Sequence, residues 1–356
     1  MPAEVDRARQ TKTILIGPFP PPAHGMARVL EAVRNELSDV ECLDTAAGSI
    51  RPGSRSFAWT KLRNCLGAIV GLATASRSAQ RVVIAPDSGE GMLFSLLYVA
   101  LARSRGLDIF VQHHTSSYLD GSSLMMRMMC RIGGRKLRHV MLCASASETF
   151  RRHHRVDVAP LIIGNAYAVD SPPVRRTTFD RGGVVIGYLG NLSAAKGIED
   201  FAALVSIARD QPGWSFRLGG PSVDAIADRT VRRLAADERV EIVGELDRHE
   251  VAEFLADLDV FVMPSRQEAM PLVIWESLRE GTPVVARSIG CIPTMGRPDA
   301  VALVDADEQF ADAARSVIAA WSEEGGEAND HRRCSARAIF TEAAARDRAA
   351  LLAALR

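Results

Sequence analysis

Glu268 and Glu276 are two carboxylates with seven residues between them, in the string Val260-Phe-Val-Met-Pro-Ser-Arg-Gln-Glu-Ala-Met-Pro-Leu-Val-Ile-Trp-Glu276. An apolar run ends at Pro264, a polar loop carries Glu268, and Pro271 suits the first turn of a helix. Backbone amides from Met270 to Leu272, on either side of Pro271, then point outward from a helix start, which favours a phosphate. Glu276, further into that helix, is placed to accept hydrogen bonds from sugar hydroxyls. The pair by itself is a common spacing, and a capping glutamate followed by a solvent-facing one has the same spelling. Gly187-Tyr-Leu-Gly-Asn-Leu-Ser-Ala-Ala-Lys-Gly197 is the second constellation. An apolar run ends in glycine, a loop carries Asn191 and Lys196, and a helix follows Gly197. A cation on a loop beside a helix start suits a diphosphate. A solvated lysine beside a glycine turn is the plainer alternative.

Something must hold these loops. The chain has 356 residues, 47% of them hydrophobic and 24% charged, a soluble globular composition. That length fits two domains of roughly 150 to 180 residues. Apolar runs at Thr13–Gly17, Arg81–Ala85, Leu107–Gln112, Val140–Ala144 and Leu161–Gly164 predict buried strands, with helical patterns at Ala27–Leu37 and Gly91–Arg103. Asp170–Thr178 is polar and Pro-rich, and predicts a linker. The alternation then restarts. Strands are expected at Gly183–Gly190, Trp214–Gly219, Val240–Gly244, Val260–Met263, Pro283–Ala286 and Val301–Val304. Helices are expected at Ile198–Arg209, Val251–Leu258, Leu272–Glu280 and Glu308–Ser322, with a last one from about Ala328. Strands alternating with helices imply doubly wound parallel sheets. Two Rossmann-like halves follow: 1–172, 178–325, and a terminal helix over 326–356 that returns towards the first half. Open parallel sheets bind ligands beyond the carboxyl ends of their strands, where every motif above sits.

The first half adds weaker candidates. Gly25, in Gly17-Pro-Phe-Pro-Pro-Pro-Ala-His-Gly-Met-Ala-Arg28, could let a phosphate approach a helix start or merely serve a turn. Val111-Gln-His-His-Thr-Ser-Ser117 follows a buried strand, and a histidine there can be a site residue or a hydrogen-bonded core residue. No two cysteines stand as a C-x-x-C pair, so no zinc site is expected. Asp305-Ala-Asp307 follows a late strand away from the other motifs and is expected to be a loop. No Gly-x-Gly-x-x-Gly follows the first strand, which excludes an NAD-linked enzyme. No apolar run reaches signal-peptide or membrane-spanning length, which predicts a cytoplasmic protein.

Formal charge sums to zero but is divided. Residues 1–180 hold 23 Lys and Arg against 15 Asp and Glu, and the remainder 20 against 28. Leu124–Arg138 carries five cations and no acid among apolar residues, and Phe57–Arg63 is similar. Such stretches suit an anionic membrane surface or a Met-rich core.

Taken in order, Asp259-Val-Phe-Val-Met-Pro-Ser265, the Glu268 to Glu276 spacing and Gly281-Thr-Pro-Val-Val-Ala286 resemble the retaining glycosyltransferases of family 4. The resemblance spans nearly the whole chain, with its specific motifs mostly in the second half. It implies the GT-B fold: α/β, two Rossmann-like doubly wound parallel-sheet domains facing across a cleft. It also implies transfer of a sugar from a UDP- or GDP-sugar to a glycan or lipid-linked acceptor, without metal or cofactor, in cell-envelope or polysaccharide biosynthesis. Nucleic acid is not an expected partner. By the same resemblance Glu268 and His114, rather than His113, lie beside the transferred sugar, and Glu276 binds the ribose. Lys196 and Gly25 meet the diphosphate, the Met270–Leu272 segment holds sugar or diphosphate, and the backbone near Leu246 holds the base. Asn191 stands where the family has arginine; it can donate a hydrogen bond but brings no charge. An inactive nucleotide-sugar binding protein and a nucleotide-sugar epimerase are the alternatives on the same fold.

Overall fold

The computed structural model describes residues 12–355 except 22–23, 51–52, 116–117, 120, 155, 157–158 and 170–182. The expected linker and the boundary at 172 to 178 lie outside the described residues. The chain divides into two compact units, Met1–Ala168 with Arg346–Arg356, and Val169–Ala345.

In the first unit the elements run β1 (Lys12–Gly17), α1 (Gly25–Glu36), β2 (Val40–Asp44), α2 (Arg55–Thr74), β3 (Ala79–Ile84), α3 (Met92–Ser104), β4 (Asp108–Gln112), α4 (Leu124–Gly133), β5 (Leu137–Met141), α5 (Ala144–His154) and β6 (Leu161–Ile162). The six strands are parallel in the order β2-β1-β3-β4-β5-β6. The interior strands read as continuous apolar runs because helices cover both faces of such a sheet. Ile14, Ile16, Val82, Ile84, Ile109 and Val111 build one core with residues from α2, α3, α4 and α5. Those four helices therefore form a single layer. The chain turns back after β2, so the order reverses between β1 and β3.

The second unit contains β7 (Val184–Leu189), α6 (Ile198–Ile207), β8 (Trp214–Gly219), α7 (Ala225–Leu234), β9 (Val240–Gly244), α8 (Arg248–Ala256), β10 (Val260–Met263), α9 (Leu272–Glu280), β11 (Val284–Arg287), β12 (Val301–Val304), α10 (Phe310–Glu323) and α11 (Gly326–Leu355), whose last residues belong to the first unit. Its strands are also parallel, in the order β12-β11-β10-β7-β8-β9. Ile186, Phe216, Val260 and Val285 pack with Phe201 and Phe310 in its core. Here the order reverses between β7 and β10. Gly281 ends α9, and Thr282 Oγ1 donates to the Leu255 carbonyl at 2.7 Å. The Gly281–Ala286 motif thus stops a helix and starts β11.

Candidate functional site

Lys196 and Glu268 are 72 residues apart in sequence, yet Lys196 Nζ lies 2.6 Å from Glu268 Oε1. The topology brings them together. Lys196 follows β7 and Glu268 follows β10, neighbouring strands at the point where the strand order reverses. A doubly wound sheet opens a crevice at that point, beyond the carboxyl ends of its strands. The Glu268 side chain is 11% exposed and that of Lys196 36%. The ammonium is thus reachable by an anion, while the carboxylate is largely sheltered.

The two loops are fixed to each other. The Arg266 amide donates to the Ala195 carbonyl at 2.9 Å. Tyr188 Oη, on β7, donates to the Lys196 carbonyl at 2.7 Å. Gly197 has φ +78°, and a Cβ there would sit 2.5 Å from the Pro264 carbonyl oxygen. Only glycine lets the lysine loop approach β10 so closely. Below them, the buried Arg287 guanidinium reaches the Asp200 carboxylate at 3.3 Å and stacks on Phe310. Asp200 lies in the first turn of α6 and also binds Arg266 at 3.1 Å.

Helix α9 begins at Leu272, with Pro271 at its cap position and no side-chain capping bond. The start of α6 is likewise uncapped by any side chain. By contrast, α7 and α8 are capped by Asp224 and Asp247. The starts of α6 and α9 therefore lack the side-chain caps of α7 and α8, as does the start of α10. Met270 and Leu272 are buried, and Pro271 is half-buried. Glu276 is 5% exposed on α9. Leu246, half-buried after β9, sits two strands from β7, about 10 Å across the sheet. Asn191 is exposed after β7 and makes no hydrogen bond among the described residues. No hydrogen bond joins it to the Lys196–Glu268 pair.

Gly290 is a residue that the sequence patterns left unmarked. Its φ is +55°, and a Cβ there would lie 2.3 Å from the Glu268 carbonyl oxygen. The neighbouring Cys291 amide holds the Ala269 carbonyl at 2.8 Å. Gly290→Ala should cost about 1 to 3 kcal/mol of stability and displace the Glu268 loop. Urea unfolding checks the cost, and an unchanged midpoint would contradict it. Tyr188, Asp200 and Arg287 were missed as well. The signal for Tyr188 was a phenol inside an apolar strand, which needs a partner.

Gly25 and His114 belong to the first unit. Gly25 opens α1, whose cap is the His24 side chain, accepting from the Ala27 amide at 3.3 Å. A Cβ at Gly25 would meet nothing within 4 Å, and its φ is not positive. The turn does not require glycine there, and the helix start is already capped by His24. His114 follows β4, and burial pushes its pKa down to about 4. Its Nε2 is buried without a hydrogen-bond partner among the described residues. His113 is fully buried instead, its ring nitrogens 3.1 Å from Tyr118 Oη and 2.9 Å from His139 Nδ1. His139 Nε2 continues the chain to Cys130 Sγ at 3.5 Å.

Proton donation in either direction along that chain satisfies every contact with both imidazoles neutral. Burial lowers the pKa of His113 and takes that of His139 to about 3. Unfolded histidines titrate near 6.5, so below that pH the unfolded chain binds protons that the native one refuses. Stability is therefore full above about pH 6.5 and falls as pH drops towards 4, by about 1.4 kcal/mol per pH unit per histidine. Urea unfolding at pH 8, 6 and 5 measures the slope, and His139→Gln should reduce it. A slope equal to wild type in that variant would contradict this account.

Parts of this chain are similar to known proteins. Residues 183–320 match the family model for glycosyl transferases group 1. The GDP-mannose-dependent alpha-mannosyltransferase of Mycolicibacterium smegmatis (strain ATCC 700084 / mc(2)155) is 30% identical over 145 residues, 41% of this chain and 36% of that protein. The 2-deoxystreptamine N-acetyl-D-glucosaminyltransferase of Streptomyces fradiae is 31% identical over 149 residues, 38% of this chain and 34% of that one. The chain spans about a quarter to a third of the length of the curated relatives it matches (25% and 34% for two from Bacillus subtilis). Among solved structures, Anabaena Alr3699/HepE in complex with UDP-glucose superposes with a TM-score of 0.68 at 14% identity, covering 96% of this chain and 99% of that one. The fold is a two-domain, Rossmann-like α/β fold with two six-stranded parallel sheets, shared with that structure.

Proposed function

We propose that this chain is a retaining, metal-independent glycosyltransferase that moves a sugar from a UDP- or GDP-sugar to a glycan or lipid-linked acceptor. The single observation that carries this reading is the Lys196–Glu268 pair at the strand-order reversal, beside two helix starts without side-chain caps. Supporting it are the group 1 match over residues 183–320 and the similarity of the chain to a GDP-mannose-dependent alpha-mannosyltransferase and an N-acetyl-D-glucosaminyltransferase. Sugar transfer breaks the bond from the anomeric carbon to the phosphate oxygen, whose electrons stay on the departing diphosphate. Lys196 and the helix starts of α6 and α9 stabilise that charge. The acceptor hydroxyl forms the new bond on the same face and gives its proton to the departing phosphate oxygen. Glu268 orients the sugar while positive charge develops on its ring.

Glu276 holds the ribose, and the backbone near Leu246 holds the base. The spacing of about two strands between Leu246 and Lys196 supports that direction along the sheet edge. The roles of Gly25 and His114 rest on the resemblance alone. The setting is envelope or extracellular polysaccharide synthesis, on the cytoplasmic side and peripheral to the membrane. No described helix is long and apolar enough to cross a bilayer. The exposed, unbonded Asn191 favours a second reading, a nucleotide-sugar binding protein that has lost activity. Product analysis with labelled donors and a panel of glycan and lipid-linked acceptors separates the readings. Labelled sugar on an acceptor supports transfer, an altered donor sugar supports an epimerase, and donor binding without turnover supports the inactive protein.

A further inference from the structure

Thirteen large hydrophobic side chains are exposed among the described residues, and nine of them lie on α2, α3 and α4 of the first unit. These helices are consecutive in one layer over the sheet, and α3 packs against both of its neighbours. Their inner sides fill the core, so what remains exposed faces away from it. On α2, Trp59, Leu66 and Val70 recur at helical spacing, with Trp59 71% exposed. Leu93 and Leu97 continue the surface on α3, and Leu124 and Met128 on α4.

None of the three helices contains an Asp or Glu. Arg55, Arg63, Arg127 and Arg131 are exposed on them, and none forms an ion pair among the described residues. Lys61 is different, held by Asp87 at 2.9 Å. Asp87, Glu90, Asp108 and Asp120 are the acids within five residues of these helices' ends in sequence. An isolated apolar patch of this breadth marks an interaction surface. Its cations decide what it meets. A second copy of the same face would set arginine against arginine, since a two-fold interface pairs each patch with itself. An anionic bilayer offers both an apolar interior for the leucines and a negative surface for the arginines. An exposed tryptophan suits the boundary between them.

We infer that the outer surface of α2, α3 and α4 docks on an anionic phospholipid bilayer, with Trp59 entering the headgroup boundary. This names the surface and the lipid chemistry behind the peripheral location proposed above, and it stands apart from the donor-site assignment. Full-length protein is sedimented with vesicles of phosphatidylcholine alone and of phosphatidylcholine mixed with phosphatidylglycerol. The protein should partition onto the mixed vesicles and stay in solution with the neutral ones. The double variant Arg127→Glu/Arg131→Glu should partition roughly tenfold less or weaker still, and Trp59→Ser/Leu66→Ser should also lose binding. Thermal stabilisation by UDP or GDP, measured on the same preparations, should match wild type and shows that fold and donor site are intact. Absence of binding to the mixed vesicles, or equal binding to both kinds, overturns the inference and leaves the transferase reading untouched. So does a dimer in solution that Trp59→Ser dissociates, because that face would then be covered by a second copy.

Discussion

Lys196→Ala should lower sugar transfer by roughly a hundredfold or more with only a small drop in unfolding temperature. The loss falls on turnover, because the charge that lysine neutralises grows on the diphosphate as the bond breaks. A modest loss of stability should accompany it, because the Lys196 side chain is 36% exposed but its partner Glu268, only 11% exposed, is left without its cation. In the resting structure the ammonium is held by Glu268 at 2.6 Å. A donor phosphate must share or displace that contact. Lys196→Arg should keep part of the rate, since it keeps the charge but changes the reach. Rates in the range of wild type for Lys196→Ala would remove this residue from the chemistry.

Glu276→Ala should weaken nucleotide binding by roughly ten- to a hundredfold, the loss expected if charge-assisted hydrogen bonds to the ribose disappear. The carboxylate is 5% exposed in the buried part of α9, so some stability is lost as well. Two readouts keep the effects apart. Calorimetric titration with UDP and GDP reports affinity, and urea unfolding reports the fold. Unchanged affinity would make Glu276 a structural acid and remove the ribose contact. Glu276→Gln tests the charge itself, because the amide keeps the shape and one acceptor.

Much of the second unit was legible from its sequence. The runs Val184–Leu189, Val260–Met263 and Val284–Arg287 are continuous apolar strands because helices bury both of their faces. Pro271 and Gly281 bracket α9 as expected for a helix start and stop. What the pattern hid were elements with a wet side. Edge strand β2, Val40–Asp44, carries two acids and is only half buried, so it lacks an apolar run. Helix α2 escaped because its outer side is as apolar as its inner one, which erases the amphipathic contrast.

The candidate site was legible in its parts and hidden in its assembly. Lys196 and Glu268 could each be picked from a loop after a strand. Their contact depends on β7 and β10 being neighbours, a fact of strand order rather than of spacing. Gly290 and Arg287 act on the same loop from β11 and the turn after it, with no motif to announce them. His113 shows the reverse case. Two adjacent histidines look alike in sequence, and only packing separates the one sealed between Tyr118 and His139 from the one whose Nε2 has no partner among the described residues.

Thermal unfolding with UDP, GDP and their sugars, in wild type and in Lys196→Ala, tests the central claim most directly. A ligand that binds only the folded state raises the unfolding temperature according to its affinity. The account predicts that one nucleotide series stabilises the wild-type protein and that Lys196→Ala abolishes most of the diphosphate's share of that rise. A protein that none of these nucleotides or nucleotide-sugars stabilises would contradict it.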